Sequence, residues 1–190
     1  MIPFLIFAAL IVGGLVMLDR LRPQKDLPEF TEEQIKQKWR ELGFFCEVDH
    51  VEKTWTLAGS RAGLLFFPDL LLGYSSDPAN AAPGAKKKYG PYGTLEVMTW
   101  LEPGFGNSIH GSTKALAYLA EIVEAKLASA QPGEEVRIRS EFAPNSPYTL
   151  LLDIRPDGFD PASADRERLG ALTSLAEVKA AEAKKETKAP

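Results

Sequence analysis

Met1 to Leu18 reads MIPFLIFAALIVGGLVML and contains no charged side chain. No other stretch restricts the chain so tightly, because an uncharged apolar run of this length has few stable settings other than lipid. As a helix rising about 1.5 Å per residue it spans roughly 27 Å, close to a hydrocarbon core of about 30 Å. Phe4, Leu5, Phe7, Leu10, Ile11, Val12 and Leu15 supply the bulky surface that acyl chains would solvate. A cleaved leader should open on basic residues and close on a small-x-small site. This run has no basic side chain ahead of it and ends Val-Met-Leu-Asp-Arg. A buried core helix is the other alternative, but an unpatterned apolar segment in this position reads first as a span. The expectation is a retained single-pass anchor over residues 1–18, with the lipid bilayer as its partner. Ala9 and Gly13 form a small-xxx-small pair that would permit close helix packing.

Arg20, Arg22, Lys25, Lys36, Lys38 and Arg40 all follow the run. Basic flanks are retained on the cytoplasmic side, so the bulk of the chain is expected in the cytoplasm. The single cysteine, Cys46, agrees with a reducing compartment, since no second thiol offers an intramolecular disulfide. The chain has 190 residues and a formal net charge of −4. That balance argues against nucleic acid as a partner, because phosphate binding needs a concentrated basic surface. Without the span and a polar tail, roughly 130 residues remain, enough for one domain with its own core.

Residues 19–30 form a proline-bearing juxtamembrane linker. The first helix then has clear ends: Thr31 as N-cap with Gln34 completing a capping box, an apolar stripe of Ile35, Trp39 and Leu42, and Gly43 as the stop. Alternation predicts strands over 44–49 and 51–57, joined near Asp49-His50. Leu64–Phe67 and Leu70–Leu72 read as a further strand bent at Pro68, with a short helix after Pro68 as the alternative. Residues 74–93 read as a long loop, 95–101 as a strand and 102–111 as a glycine-bearing connection. Ser112 is the expected cap of a second helix whose buried stripe is Leu116, Leu119, Ala120, Val123 and Leu127. Val136, Ile138 and Phe142 mark another strand, and 148–154 a more apolar, central one. Leu169, Leu172, Leu175 and Val178 make a weak stripe in a charged tail over 157–190. The expected fold is α+β: one domain over 31–156, with an antiparallel sheet covered by two amphipathic helices.

The candidate chemistry is sparse. Gly106 to Lys114, GNSIHGSTK, imitates a phosphate-binding loop, in which amides wrap phosphate and a lysine reaches it. Gly106 and Gly111 are correctly spaced, but Ser112-Thr113 precede Lys114 instead of following it. Cys46 and His50 are spaced as one half of a metal site without a second ligand pair. A Cys46–His110 nucleophile and base would have to meet in space, and Asp157 with Asp160 lies in turn chemistry. No catalytic residue, cofactor or metal site is therefore assigned. Lys86, Lys87 and Lys88, beside Tyr89 and Tyr92, are the candidate partner-binding residues, facing a protein partner or an anionic surface. The expected function is a membrane-tethered cytoplasmic binding or adaptor domain, of the assembly-factor, scaffold or toxin-neutralising kind. The alternatives are a nucleotide- or phosphate-binding enzyme or sensor using Gly106 to Lys114, and a structural subunit of a membrane assembly.

Overall fold

The computed structural model describes residues 30–165. The expected anchor, most of the linker and the apolar stripe of the tail lie outside them. Among the described residues no helix is long and apolar enough to cross a membrane.

Helix α1 (Glu32–Leu42) is closed as its sequence dictates: the Thr31 hydroxyl accepts from the Gln34 amide, and the Gln34 side chain accepts from the Thr31 amide. Gly43, at φ 85°, ends it by returning its N–H to the Trp39 and Arg40 carbonyls. Strands β1 (Phe45–Asp49) and β2 (Thr54–Ser60) form the expected hairpin, with a longer turn than expected. The Asp49 carboxylate holds that turn by accepting from the Val51 and Glu52 amides.

The chain then departs from expectation. The segment read as a bent strand is helical: α2 (Arg61–Leu64) and α3 (Phe66–Ser76). Ser60 caps α2 by accepting from the Gly63 amide, and Pro68 falls in the first turn of α3, where its missing donor costs nothing. Phe67, Leu71 and Tyr74 share the buried face at helical spacing.

A second correction concerns residues 74–93. The segment is not one loop; it holds a 3-10 turn (Pro78–Asn80), strand β3 (Lys86–Tyr89) and a second 3-10 turn (Pro91–Gly93). The lysine run is therefore a strand, fixed by antiparallel pairing with β4 (Leu95–Thr99). The glycine-bearing connection holds two short strands, β5 (Gly104–Phe105) and β6 (Ile109–Gly111). Helix α4 (Thr113–Ser129) follows, capped by Ser112, and it buries the five residues expected of it. β7 (Glu135–Ile138) is shorter than expected, because Phe142 leaves the strand to pack its ring 5.1 Å from that of Phe105. β8 (Thr149–Arg155) is central, as its apolar sequence implied.

The fold class is α+β, but the single antiparallel sheet is replaced by two mixed sheets. Their strand orders are β1-β2-β8-β7 and β3-β4-β6-β5. Each consists of two antiparallel pairs joined by one parallel pair, β2 with β8 and β4 with β6. The second sheet lies, in sequence, wholly between the halves of the first. The parallel strands at the centre of the first sheet are also its most buried, as parallel pairing favours. One core serves both sheets, with Trp39, Trp55, Phe67, Val97, Leu119 and Leu152 among its fully buried members. Trp55 links the sheets by donating its indole N–H to the Gly106 carbonyl at 2.8 Å. α3 runs along α4, so with α1 three long helices among the described residues, and not two, pack on the sheets.

Residues 157–165 stay with this body. Arg40 pairs with Asp160 at 2.8 Å, and the buried Asp165 carboxylate accepts from the Trp39 indole at 2.7 Å.

Candidate docking surface

The end of α1, the outer side of α3 and strand β3 enclose a groove of about 480 Å³, lined in part by Leu42, Phe66, Leu70, Gly73, Lys87 and Tyr89. Two carboxylates, Glu41 and Asp69, also border it. A smaller hollow of about 220 Å³ beside Leu42, Tyr89 and Gly90 draws on Lys38 and Glu41 of α1. The groove exists because α3 is apolar on more than one side. Phe67, Leu71 and Tyr74 fill the core, which leaves Phe66 and Leu72 exposed and Leu70 half-buried at the edge of the core; Phe66 is 54% exposed. Apolar helix surface is ordinarily buried, and at Phe66 it is not.

Two glycines set the walls. A Cβ on Gly43 would meet Cδ2 of Phe66 at 2.7 Å, so only glycine at the end of α1 lets that ring lie across it. Gly90, at φ 73°, lies where a Cβ would meet Cδ2 of Leu42 at 3.0 Å. Positive φ favours glycine at both positions, and at Gly43 the close approach of the Phe66 ring adds to it.

β3 is held by a buried polar network. The Tyr74 hydroxyl donates to the Ala85 carbonyl at 2.7 Å and lies 3.0 Å from the Thr99 hydroxyl. Thr99 in turn donates to the Asn80 carbonyl, and the Asn80 amide to the Tyr74 carbonyl. One tyrosine of α3 thus fixes the entrance of β3 against the end of β4.

The five partner-binding residues expected from sequence divide. Lys87 and Tyr89 line the groove, with the Lys87 ammonium 5.5 Å from the centre of the Tyr89 ring. Burial, with the nearby Tyr74 and Asp77 adding to it, pushes the Tyr89 phenol up to about 12, so it remains a neutral donor at physiological pH. Lys86 and Lys88 occupy the other face of the strand, 4.0 Å and 3.5 Å from Glu96. Tyr92 lies in the turn after β3 at φ 61° and packs against the core instead of lining the groove. Sequence reasoning misses Phe66, Leu70 and Gly73. Their signal is the nearly continuous apolar character of 64–72, broken only by Asp69, which exceeds what one buried face requires.

The other candidates are dispersed. Cys46 is buried in β1 of the first sheet, whereas His50 is exposed in the following turn, with Nδ1 2.9 Å from the Tyr148 hydroxyl. His110 is half-buried in β6 of the second sheet, with Nδ1 3.1 Å from the Ser108 carbonyl. Among the described residues no three His, Cys, Asp or Glu side chains gather where they could hold a metal ion. Gly106 to Gly111 is taken up by the β5–β6 hairpin: the Gly106 amide donates to the Ser108 carbonyl and the Gly106 carbonyl accepts from Trp55. Asp160 caps the last turn and pairs with Arg40, which holds its carboxyl below the usual range. Comparison with known proteins returns no match among family models, curated proteins or solved structures.

Proposed function

We propose that the chain is a non-catalytic binding domain, tethered to a membrane by its N-terminal run and acting in the cytoplasm as an adaptor or assembly factor. The observation that carries the binding part is the groove between α1, α3 and β3, with Phe66 and Leu70 on the outer side of a helix whose other side is core. Exposed apolar surface gathered in a concave site is characteristic of an interaction surface. The tether and the orientation rest on the uncharged run Met1 to Leu18 and the basic residues after it.

The test is recovery of partners by the full-length chain from gently solubilised membranes, with Gly73→Trp and Leu70→Glu run beside it. No heavy atom lies within 4 Å of a Cβ at Gly73, so a large ring there fills the groove without disturbing the core. A stoichiometric protein recovered by the native chain and lost with both variants supports the reading. A partner recovered equally by all three chains removes the groove from it.

A further inference from the structure

What the edge of this surface offers is set by strand pairing. β3 is one of the two edge strands of the second sheet. The Thr99 amide donates to the Ala85 carbonyl at 2.8 Å, which fixes the phase of the antiparallel ladder. Lys87 and Tyr89 therefore turn their backbone groups towards β4, and Lys86 and Lys88 turn theirs outward. The side chains alternate between faces. Lys86 and Lys88 share a face with Glu96, while Lys87 and Tyr89 face the groove.

Resting on the binding reading above, we propose that the partner supplies an extended acidic segment that adds a strand to β3. An added strand lies about 4.8 Å beyond the edge. Its inward side chains would enter the groove between Leu42, Phe66 and Leu70, and they are apolar. Its outward side chains would stand beside Lys86 and Lys88, and they are carboxylates. Those two ammonium groups share one carboxylate, Glu96, and the surplus selects an acidic occupant on that face. Glu41 and Asp69 outnumber Lys87 around the groove and weigh against carboxylates at the inward positions. The surplus also selects against a second copy of this chain, because pairing the two edges would set lysines opposite lysines. A helix laid in the groove would make no use of the outward amides of Lys86 and Lys88, which an added strand pairs directly.

The probe is a synthetic peptide of about six residues, a typical strand length, alternating Glu with Val or Leu. It is titrated into the full-length chain in mild detergent, with amide exchange followed at Lys86 and Lys88. Two companion peptides carry Lys in place of Glu, or N-methyl groups on alternate residues to block one hydrogen-bonding edge. Expected are binding of the acidic peptide, slowed exchange at both amides, loss of about tenfold or more on N-methylation, and no binding of the basic peptide. The double variant Lys86→Glu, Lys88→Glu should reverse the preference of the site from acidic to basic. Unchanged affinity after N-methylation, unprotected amides or equal binding of the basic peptide overturns strand addition. So does a dimer of the native chain that Lys86→Glu abolishes. If the acidic peptide fails while Gly73→Trp still removes the native partner, the docking surface stands and only its mode is refuted. If Gly73→Trp leaves partner recovery intact, the surface itself falls, and strand addition with it.

Discussion

Two helical glycines close to the groove should respond to the same substitution with opposite signs. Gly73, in α3, has no heavy atom within 4 Å of where a Cβ would stand. Glycine inside a helix costs about 0.5–1 kcal/mol relative to alanine, so Gly73→Ala should stabilise the domain by that amount. Gly63, in α2, gains the same propensity but faces the end of α1. Its Cβ would come within 3.2 Å of the Gly43 carbonyl carbon and closer still to the oxygen. Both groups are backbone and cannot rotate away. Overpacking of this kind costs about 1–3 kcal/mol, more than the propensity gain, so Gly63→Ala should destabilise. Urea unfolding of the full-length chain in mild detergent, extrapolated linearly, resolves a difference of this size. In a thermal scan the two variants should part by several degrees, at about 2–4 °C per kcal/mol. A destabilised Gly73→Ala would show that the outer side of α3 is covered, and would refute the open groove. A neutral Gly63→Ala would show that the α1–α2 contact is loose, and with it the placement of Phe66.

Three further outcomes follow from single contacts. Trp39→Phe leaves the buried Asp165 carboxylate without its indole donor and should cost about 1–3 kcal/mol in urea unfolding, whereas Asp165→Asn keeps an acceptor and should cost less. Tyr74→Phe removes the hydroxyl that joins Ala85 to Thr99; amide exchange in β3 should quicken while α4 keeps its protection. The Lys126 ammonium, 2.8 Å away, holds the Glu141 carboxyl down to about 2 from an ordinary 4.5. A depressed folded pKa contributes stability above the unfolded value, and that contribution is lost as pH falls from about 4.5 through about 2. Both side chains are substantially exposed, so solvent screening holds the effect below about 1 kcal/mol. Glu141→Gln should flatten the urea stability profile across that window, and an unchanged profile would show that the pair contributes nothing.

The elements legible in the sequence are those whose periodicity and ends agree. α1 and α4 each have a hydroxyl cap, an amphipathic stripe and a bounded length, and both sit where those signals put them. α3 is obscured by its own composition: between Leu64 and Leu72 nearly every residue is apolar, so the helical spacing of Phe67, Leu71 and Tyr74 has no polar background to stand against. β3 is obscured in the opposite way. Three lysines between glycines and prolines look like a solvated loop, yet edge strands tolerate lysine because one side of their ladder faces water. The parallel pairs have no local signature at all. Thr54 pairs with Thr149 across an intervening stretch that holds the whole second sheet, and no short window of sequence contains both.

Lysines on a strand edge have a second physical use, since charge there discourages edge-to-edge aggregation. Protection alone would account for Lys86 and Lys88, but it requires no hollow beside the strand. Nor does it explain why glycine at Gly43 is needed to bring the Phe66 ring to that hollow. A protective edge would also be well served by a polar α3 surface, and the chain exposes Phe66 and Leu72 there. The combination of a cationic edge, an apolar groove and a neutral tyrosine between them is accounted for by a ligand that brings backbone, apolar side chains and carboxylates together. The residues that sequence alone singles out supply the cationic edge and Tyr89. The apolar half comes from residues that read as core until the helix they form is seen to bury only one of its sides.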